Sequence, residues 1–336
     1  MSATKTENDW NKLNCPKQYD QNWLHREMLF DSQRVLAYKY ALTNLVTSNS
    51  IVMDYGAGSG MLSMLAAVHG NAKKVYAVEL GPAAELAREL VKANKLESQV
   101  DVIQADASTV SLPDKVDVIV SEWMGGLAVD ENFVPGLIKA RDVHLKPDGI
   151  MIPARAVGYA SVAYDDQLYK IMKCWEDNDY GIDLSLIKDK HCQDVLNGRN
   201  NVKSEHIFSI PTRLFDLNMK TIQAEDANFD SGLVEVKVLH SGTVNCIAAW
   251  FECDMGDNKT VLRNDTLSAD THWGRTVFPI ESPIQVEKGE ILYFRLTSKD
   301  EGLMKCVQTW SLGKDTSSDL KIYSGTQNCV HSPGFH

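Results

Sequence analysis

Hydrophobic runs of strand length alternate with helical repeats in the first half of the chain. Strands and helices differ in the period and length of their apolar positions, so the two can be told apart from the pattern. The alternation predicts βαβ units in a doubly wound parallel sheet, with a ligand at the carboxyl ends of the strands. The strand-like runs are 51–55, 74–78, 100–103 and 116–120, and the helical ones are 62–68 and 82–94.

The second half, beyond Lys146-Pro147-Asp148-Gly149, has the alternating pattern of short strands, which predicts a β-rich, barrel-like domain. Apolar and aromatic positions at helical spacing from 169 to 179 interrupt it and lead into a polar segment, 187–202. Spacing alone fits two interpretations of this insertion, an ordinary core helix with its loop or a projecting arm. The strand-like segments are 156–163, 233–239, 246–253 and 291–296.

A glycine-rich turn joins the first strand to the first helix. Asp54 lies in the strand, and Gly56, Gly58 and Gly60 follow it. Glycines at such a turn let the backbone approach a nucleotide-like ligand, although tight packing of the helix on the sheet also uses them. The spacing G-x-G-x-G differs from the G-x-G-x-x-G of dinucleotide sites, which makes NAD the weaker interpretation. Glu79, at the end of the second strand, stands where such sheets present an acid to ribose hydroxyls.

Two acids, Glu122 and Glu131, stand at the ends of a short loop after the fourth strand. If both face one small cavity, they repel each other and stay ionised together only beside a cation or strong donors. A guanidinium meets that need, because its planar fork of donors matches carboxylates bidentately. We therefore interpret the pair as a clamp for a substrate arginine; the alternative is two solvated surface acids.

Together these motifs resemble the protein arginine methyltransferases, which transfer a methyl group from S-adenosyl-L-methionine to arginine nitrogens in proteins. The resemblance extends from about Tyr19 onward. The segments that carry it are DYGAGSG from Asp54, VYAVE up to Glu79, the two-glutamate loop, and Thr271-His272-Trp273 followed by Thr276-Val277-Phe278.

The resemblance implies an α/β fold with three parts. A cofactor-lid segment at residues 1–35 precedes a Rossmann-like S-adenosylmethionine-binding domain at 36–152. A β-barrel-like substrate domain follows at 153–336, with a helical dimerisation arm inserted at about 169–202. The arm of such enzymes packs on the cofactor domain of a partner, so we expect an obligate homodimer or a heteromer with a paralogous chain.

The resemblance also assigns the cofactor site. Arg34 would pair with the cofactor carboxylate, Glu79 would hold the ribose hydroxyls, and Met28 would shape the methyl-transfer pocket. Ser108 falls where the family has a glutamate for the adenine amine, and a hydroxyl is a poorer acceptor there. The implied cofactor-binding residues are His25, Met28, Arg34, Asp54, Gly56, Gly58, Gly60, Glu79 and Ser108.

On the substrate side, Glu122 and Glu131 would grip the guanidinium and His272 would pair with Asp31. Methyl transfer is an in-line displacement, so an aligned geometry supplies much of the acceleration. The carboxylates also stabilise the positive charge that moves onto the guanidinium, and the proton would leave through Glu131 or through the pair of Asp31 and His272. Residues implied to contact the substrate are Tyr19, Met124 and Trp273.

Several positions depart from the family pattern. Cys15-Pro16-Lys17-Gln18-Tyr19 stands where an aromatic lid, Tyr-Phe-x-x-Tyr, is expected, and only Tyr19 matches it. Gly126 replaces an aromatic residue, which predicts a more flexible clamp loop. Three functions stay open: an arginine methyltransferase of monomethyl or asymmetric dimethyl type, which Met28 favours; a silent paralogue that regulates an active relative; and a small-molecule methyltransferase, which would need neither the clamp nor an arm.

The composition agrees with the first two functions. A formal net charge of −11 argues against a nucleic-acid surface and favours arginine-rich protein partners. Seven cysteines without a C-x-x-C motif predict reduced thiols and a cytoplasmic location, with nuclear import left open, and the scattered histidines indicate no metal site. No apolar stretch approaches bilayer length, so we expect no membrane association.

Overall fold

The computed structural model describes residues 22–131, 133–300, 305–314 and 321–328. The predicted contact residue Tyr19 and the departure at Cys15-Pro16 lie outside these residues. The elements of the first half are α1 Asn22–Phe30, α2 Ser32–Leu45, β1 Ile51–Tyr55, α3 Met61–Val68, β2 Lys74–Glu79, α4 Ala83–Ala93, β3 Val100–Gln104, β4 Val116–Val120, α5 Val134–His144 and β5 Leu145–Ile152.

These strands form one parallel sheet of five strands in the order β3-β2-β1-β4-β5. The chain builds outward from β1 to β3 and then returns to place β4 on the other side of β1. The strand order therefore reverses between β1 and β4, where open α/β sheets bind their ligands. The predicted doubly wound sheet is confirmed.

Apolar burial explains why this half folds as the pattern predicts. The central strand β1 buries Val52 and Met53 completely, as expected for a strand covered on both faces by helices. Helix α4 buries Ala84, Ala87 and Val91, a helical repeat that forms one face against the sheet. Helix α2 begins at a proper cap, because the Asp31 carboxylate accepts a hydrogen bond from the Arg34 amide at 3.0 Å.

The second half consists of two antiparallel sheets. One has the order β11-β10-β6-β7, with β12 on β10, and the other has the order β15-β14-β13-β8, with β9 on β13. This confirms the β-barrel-like domain. The strands are β6 Arg155–Ala163, β7 Thr212–Asn218, β8 Phe229–Asp230, β9 Val234–Lys237, β10 Gly242–Asp254, β11 Val261–Arg263, β12 Thr276–Val286, β13 Ile291–Asp300, β14 Lys305–Gly313 and β15 Lys321–Asn328.

Two helices are inserted between β6 and β7: α6 Asp166–Glu176 and α7 Ser185–His191. The polar segment expected from 187 onward thus begins within a helix. Tyr180, Ile182 and Leu186 stay 80%, 61% and 67% exposed, whereas Leu168 of α6 is buried, so the insertion buries only part of its apolar side chains within the chain. None of the helices among the described residues is long and apolar enough to cross a membrane.

Candidate active site

The glycine turn leaves open space above the end of β1. Gly56, Gly58 and Gly60 all have positive φ, a conformation that only glycine adopts readily. A Cβ added at Gly56 would meet nothing within 4 Å, whereas one at Gly60 would lie 3.2 Å from the Cβ of Ala87 in α4. Gly56 therefore borders room for a ligand, and Gly60 serves the close packing of helices α3 and α4.

Glu79 folds back over this turn from the end of β2. Its Oε2 accepts a hydrogen bond from the Gly58 amide at 2.8 Å, and its Oε1 accepts one from the Gly81 amide at 2.6 Å. These bonds fix the carboxylate beside the open space at Gly56. Each carboxylate oxygen has a further lone pair, so the group can still accept two hydroxyl donors.

Asp54 lies fully buried beneath the same turn. Its Oδ2 accepts a hydrogen bond from the Ser63 hydroxyl at 2.7 Å, while its Oδ1 has no partner among the described residues. Burial raises the pKa of Asp54 to about 6, against the lowering effect of Ser63. A buried acceptor without a donor is costly, so this oxygen is available to a donor group that enters the site.

Ser108 lies half-buried in the turn after β3. Its hydroxyl and its amide both donate to the Asp106 Oδ1, at 2.7 and 2.8 Å. The hydroxyl hydrogen is therefore used within the turn, and only the oxygen lone pairs remain for a ligand donor.

Arg34 and Glu122 form a direct ion pair that the resemblance does not assign. Arg34 Nε donates to Glu122 Oε2 at 3.3 Å, and the two side chains are 8% and 12% exposed. A second guanidinium nitrogen of Arg34 donates to the Met28 carbonyl at 3.2 Å. Glu122 thus already has a cation of this chain beside it, from 88 positions away, and a substrate guanidinium is not needed to supply one.

Asp31 and His272 are in contact, as the resemblance implies. The Nδ1 of His272 lies 2.7 Å from Asp31 Oδ2, and the His272 amide donates to the same oxygen at 3.0 Å. Burial acts to raise the pKa of Asp31, but hydrogen bonds from His272 and from the Arg34 amide lower it below its usual value. An ionised Asp31 therefore joins helix α2 to the segment before β12.

The clamp loop is buried against the same segment. Trp273 donates from Nε1 to the Met124 carbonyl at 2.7 Å, and the Met124 amide donates to Glu122 Oε1 at 3.0 Å. Glu131 lies in a short 3-10 turn and is 8% exposed. A side chain at Gly126 would collide with Thr276 and Asn197. The glycine thus permits close packing of the loop at this point, and the more flexible loop expected from Gly126 stays a prediction.

The structure thus gathers most of the predicted residues at one edge of the parallel sheet. His25 lies in α1, and Met28 is a half-buried residue of the same helix. Sequence reasoning missed Tyr38, a buried residue of α2 whose hydroxyl donates to the Ser121 carbonyl at 2.9 Å. No motif signals this bond, which joins positions 83 apart. Among the described residues no group of histidines, cysteines and acids could hold a metal ion.

Comparison with known proteins gives this geometry its context. The family model of the arginine methyltransferase oligomerization subdomain matches residues 154–305, and that of the TRM5/TYW2 methyltransferase domain matches residues 23–151. Protein arginine N-methyltransferase 6 of Xenopus tropicalis is 31% identical to this chain, over 84% of this chain and 85% of that protein.

Solved structures agree in fold and extent. A chain of the Trypanosoma brucei PRMT1 enzyme-prozyme heterotetrameric complex with AdoHcy matches with a TM-score of 0.83 and 27% identity, over 92% of this chain and 98% of that one. Arabidopsis thaliana protein arginine methyltransferase 10, solved in an open conformation, matches with a TM-score of 0.76 and 26% identity over the same shares. The chain belongs to the protein arginine N-methyltransferase family, enzymes whose methyl donor is S-adenosylmethionine.

Proposed function

We propose that this protein methylates arginine side chains of proteins as one subunit of an obligate oligomer. The observation that carries the proposal is the buried contact of the two-glutamate loop with Arg34 on one side and with Trp273 on the other, at the ligand-binding edge of the sheet. A small-molecule methyltransferase has no need of this loop. The net charge of −11 favours arginine-rich protein segments as substrates, and the seven cysteines without a C-x-x-C motif favour the cytoplasm.

The residues at the glycine turn fit S-adenosylmethionine. Gly56 borders open space, Glu79 can accept two ribose hydroxyls, and the unpartnered Oδ1 of Asp54 can accept a donor of the methionine part. Arg34 keeps donors beyond those used on Glu122 and Met28, because a guanidinium has five, and these can meet the cofactor carboxylate. The bound cofactor supplies an electrophilic methyl group on a sulfonium.

Positioning carries most of the chemistry. Glu122 and Glu131 would hold the substrate guanidinium and orient one of its nitrogens toward the bound cofactor. The two carboxylates would also stabilise the positive charge that develops on the guanidinium. The proton leaves to Glu131 or to the pair of His272 and Asp31. In that pair the Nδ1 of His272 lies 2.7 Å from Asp31 Oδ2, so the Asp31 carboxylate would stabilise the imidazole when it carries the proton.

Assembly is part of the proposal. The residues of the insertion that stay exposed, Tyr180, Ile182 and Leu186, support an arm that needs a partner, as do the exposed Phe30 and Tyr40 of α1 and α2. The matching oligomerization subdomain and the heterotetrameric relative support it further. We propose that the arm packs on the cofactor domain of a partner, and that this partner is a related but different chain.

A second candidate is a weak or silent paralogue that regulates an active relative. Ser108 favours it, because the hydroxyl that replaces the adenine-side glutamate already donates within its own turn. The lost aromatic lid at Cys15-Pro16 points the same way. Glu122, Asp31 and His272 favour the catalytic function instead, since a silent subunit has no need of these pairs.

The test begins with binding of S-adenosylmethionine to the purified chain by calorimetry. Methylation of an arginine-rich peptide is then measured with the chain alone and with a paralogous chain, and native mass spectrometry on protein from its source gives the assembly. We expect binding, methylation and an oligomer. If this chain alone methylates no peptide but raises the rate of methylation by the paralogue, the result would favour the regulatory candidate. A stable monomer that is fully active at nanomolar concentration would refute the oligomer.

A further inference from the structure

A buried asparagine, Asn264, joins the two segments that carry the candidate catalytic groups. Its Nδ2 donates to the Gly126 carbonyl of the clamp loop at 2.8 Å and to the Gly274 carbonyl, two residues after His272, at 2.6 Å. Its Oδ1 accepts from the Phe251 amide in β10 at 2.8 Å. Asn264 is 1% exposed, so water does not compete for these bonds.

The chemistry of the three partners requires an amide. The two carbonyls can only accept, and the backbone N–H of Phe251 can only donate, so the side chain between them needs two donors and one acceptor. Asparagine offers this set on a short stem, whereas serine and threonine have one hydrogen to donate and an ionised aspartate has none. The Asn264 side chain has a hydrogen-bond partner for its oxygen and two for its NH₂ group, as expected of a buried polar group that fixes its surroundings.

This bridge has a neighbour that makes it effective. Trp273 donates to the Met124 carbonyl of the clamp loop. Asn264 forms a second link between the same two segments, because it donates both to Gly274, the residue after Trp273, and to Gly126 of the clamp loop. Two connections between the same two segments fix their tilt as well as their separation, which one hydrogen bond cannot do. The ring of Trp273 also meets the ring of Phe251 edge-on, with centroids 5.2 Å apart.

We propose that Asn264 is a positioning residue for methyl transfer, which sets the separation of the two-glutamate loop from the segment of His272 and Trp273. The role rests on the proposed function, because it concerns how the clamp holds a guanidinium. Asn264 acts through its hydrogen bonds to the two segments. A displacement of the clamp by about 1 Å can cost on the order of 100-fold in rate, so a single buried amide can control turnover from outside the reacting groups.

The decisive variant is Asn264→Asp. It keeps the acceptor for the Phe251 amide and the shape of the side chain, but it loses both donors and turns an oxygen toward two carbonyls. We expect kcat for an arginine-rich peptide to fall by about 100-fold, with the Kd of S-adenosylmethionine unchanged. Lowering the pH protonates the carboxyl and restores one donor, so activity relative to the wild type should rise as the pH falls.

Ser209→Ala is the matched control. Ser209 is fully buried and its hydroxyl accepts from the Val162 amide at 3.1 Å, so the variant also removes a buried acceptor of a strand amide. Its hydroxyl partners, Val162 and Ser161, belong to neither catalytic segment. Hydrogen exchange over residues 121–131 and 270–277 supplies a readout that does not depend on turnover. We expect hydrogen exchange in both segments to be faster than in the wild type for Asn264→Asp and unchanged for Ser209→Ala.

The outcomes separate the inference from the proposed function. Full activity of Asn264→Asp, or an equal loss of activity in Ser209→Ala, would overturn the positioning role. If Asn264→Asp does not fold, Asn264→Ser keeps one donor and should show an intermediate kcat, and wild-type kcat in that variant would overturn the role as well. A wild type that methylates no peptide, with or without a paralogue, refutes the proposed function, while hydrogen exchange still decides whether Asn264 holds the two segments.

Discussion

Replacing Glu122 by glutamine removes one charge from the clamp and keeps the shape of the side chain. In the structure Glu122 Oε1 accepts from the Met124 amide and Oε2 accepts from Arg34. The amide oxygen of glutamine can keep the first bond, but its NH₂ group then faces the guanidinium of Arg34, donor against donor. The clamp loop should stay folded while its attraction for a second guanidinium weakens.

The size of the expected effect on kcat/KM follows from the burial of Glu122, whose side chain is 12% exposed. A substrate guanidinium paired with it would be shielded from water as well. Removing one partner of a buried, hydrogen-bonded charge pair costs about 2–5 kcal/mol. Because each ~1.4 kcal/mol is a factor of ten, kcat/KM for an arginine peptide should fall by roughly 30-fold to 4000-fold. The Kd of S-adenosylmethionine should change by less than about tenfold, because Arg34 keeps its bond to Met28 and gains freedom to meet the cofactor carboxylate.

Steady-state kinetics with an arginine-rich peptide measures the first effect, and calorimetry measures the second. The control is Glu205→Gln, which removes the same charge from an exposed residue. It should leave kcat/KM within about twofold, as surface charges contribute little. Unchanged turnover in Glu122→Gln would remove Glu122 from the clamp. If Glu122→Gln weakens only the binding of S-adenosylmethionine, the ion pair of Glu122 with Arg34 would belong to the cofactor site and not to the substrate clamp.

Two further predictions concern the cofactor side. Glu79→Ala should raise the Kd of S-adenosylmethionine by at least about tenfold, because hydrogen bonds to a charged group contribute roughly 1.5–3 kcal/mol each; an unchanged Kd in calorimetry would exclude Glu79 as the ribose ligand. The pKa of Asp54, raised from 3.8 to about 6 by burial, means that its ionisation opposes folding. Asp54 should therefore contribute a loss on the order of 3 kcal/mol of unfolding free energy as the pH rises from about 4 to about 6. Urea unfolding of Asp54→Asn should lack this loss, and parallel pH profiles of the two proteins would contradict it.

Local patterns explain how much of the fold could be predicted from the sequence. The helix expected at 82–94 is Ala83–Ala93, and the strand expected at 116–120 is Val116–Val120. Both follow from apolar periodicity, which depends on neighbouring residues alone. The glycine turn and Glu79 belong to one βαβ unit, so their meeting also follows from local order. The domain boundaries and the roles assigned to single residues stay predictions.

Contacts between distant positions could not be predicted in this way. The ion pair of Arg34 and Glu122 spans 88 positions, and the hydrogen bond from Asn264 to Gly126 spans 138. Neither the period nor the spacing of residues encodes such a pair, because both depend on how a helix and two loops come together in three dimensions. Gly126 shows the same difficulty. A glycine in the sequence suggests a flexible backbone, and only the structure shows that Thr276 and Asn197 lie against it.

The inserted arm and the active site share a hydrogen-bonded connection. The segment that returns from the arm pairs with the start of β12, through Leu196 and Val277, and the Gly198 amide donates to the Trp273 carbonyl at 3.1 Å. Asn197 accepts from the Thr276 hydroxyl at 2.9 Å, beside Gly126. A binding partner shifts a conformational equilibrium only if it binds one conformation more tightly than the other. A partner bound to the arm would therefore favour the conformation of this segment that fits its contacts. We therefore propose that assembly through the insertion would act on the two-glutamate loop as well as on the cofactor domain.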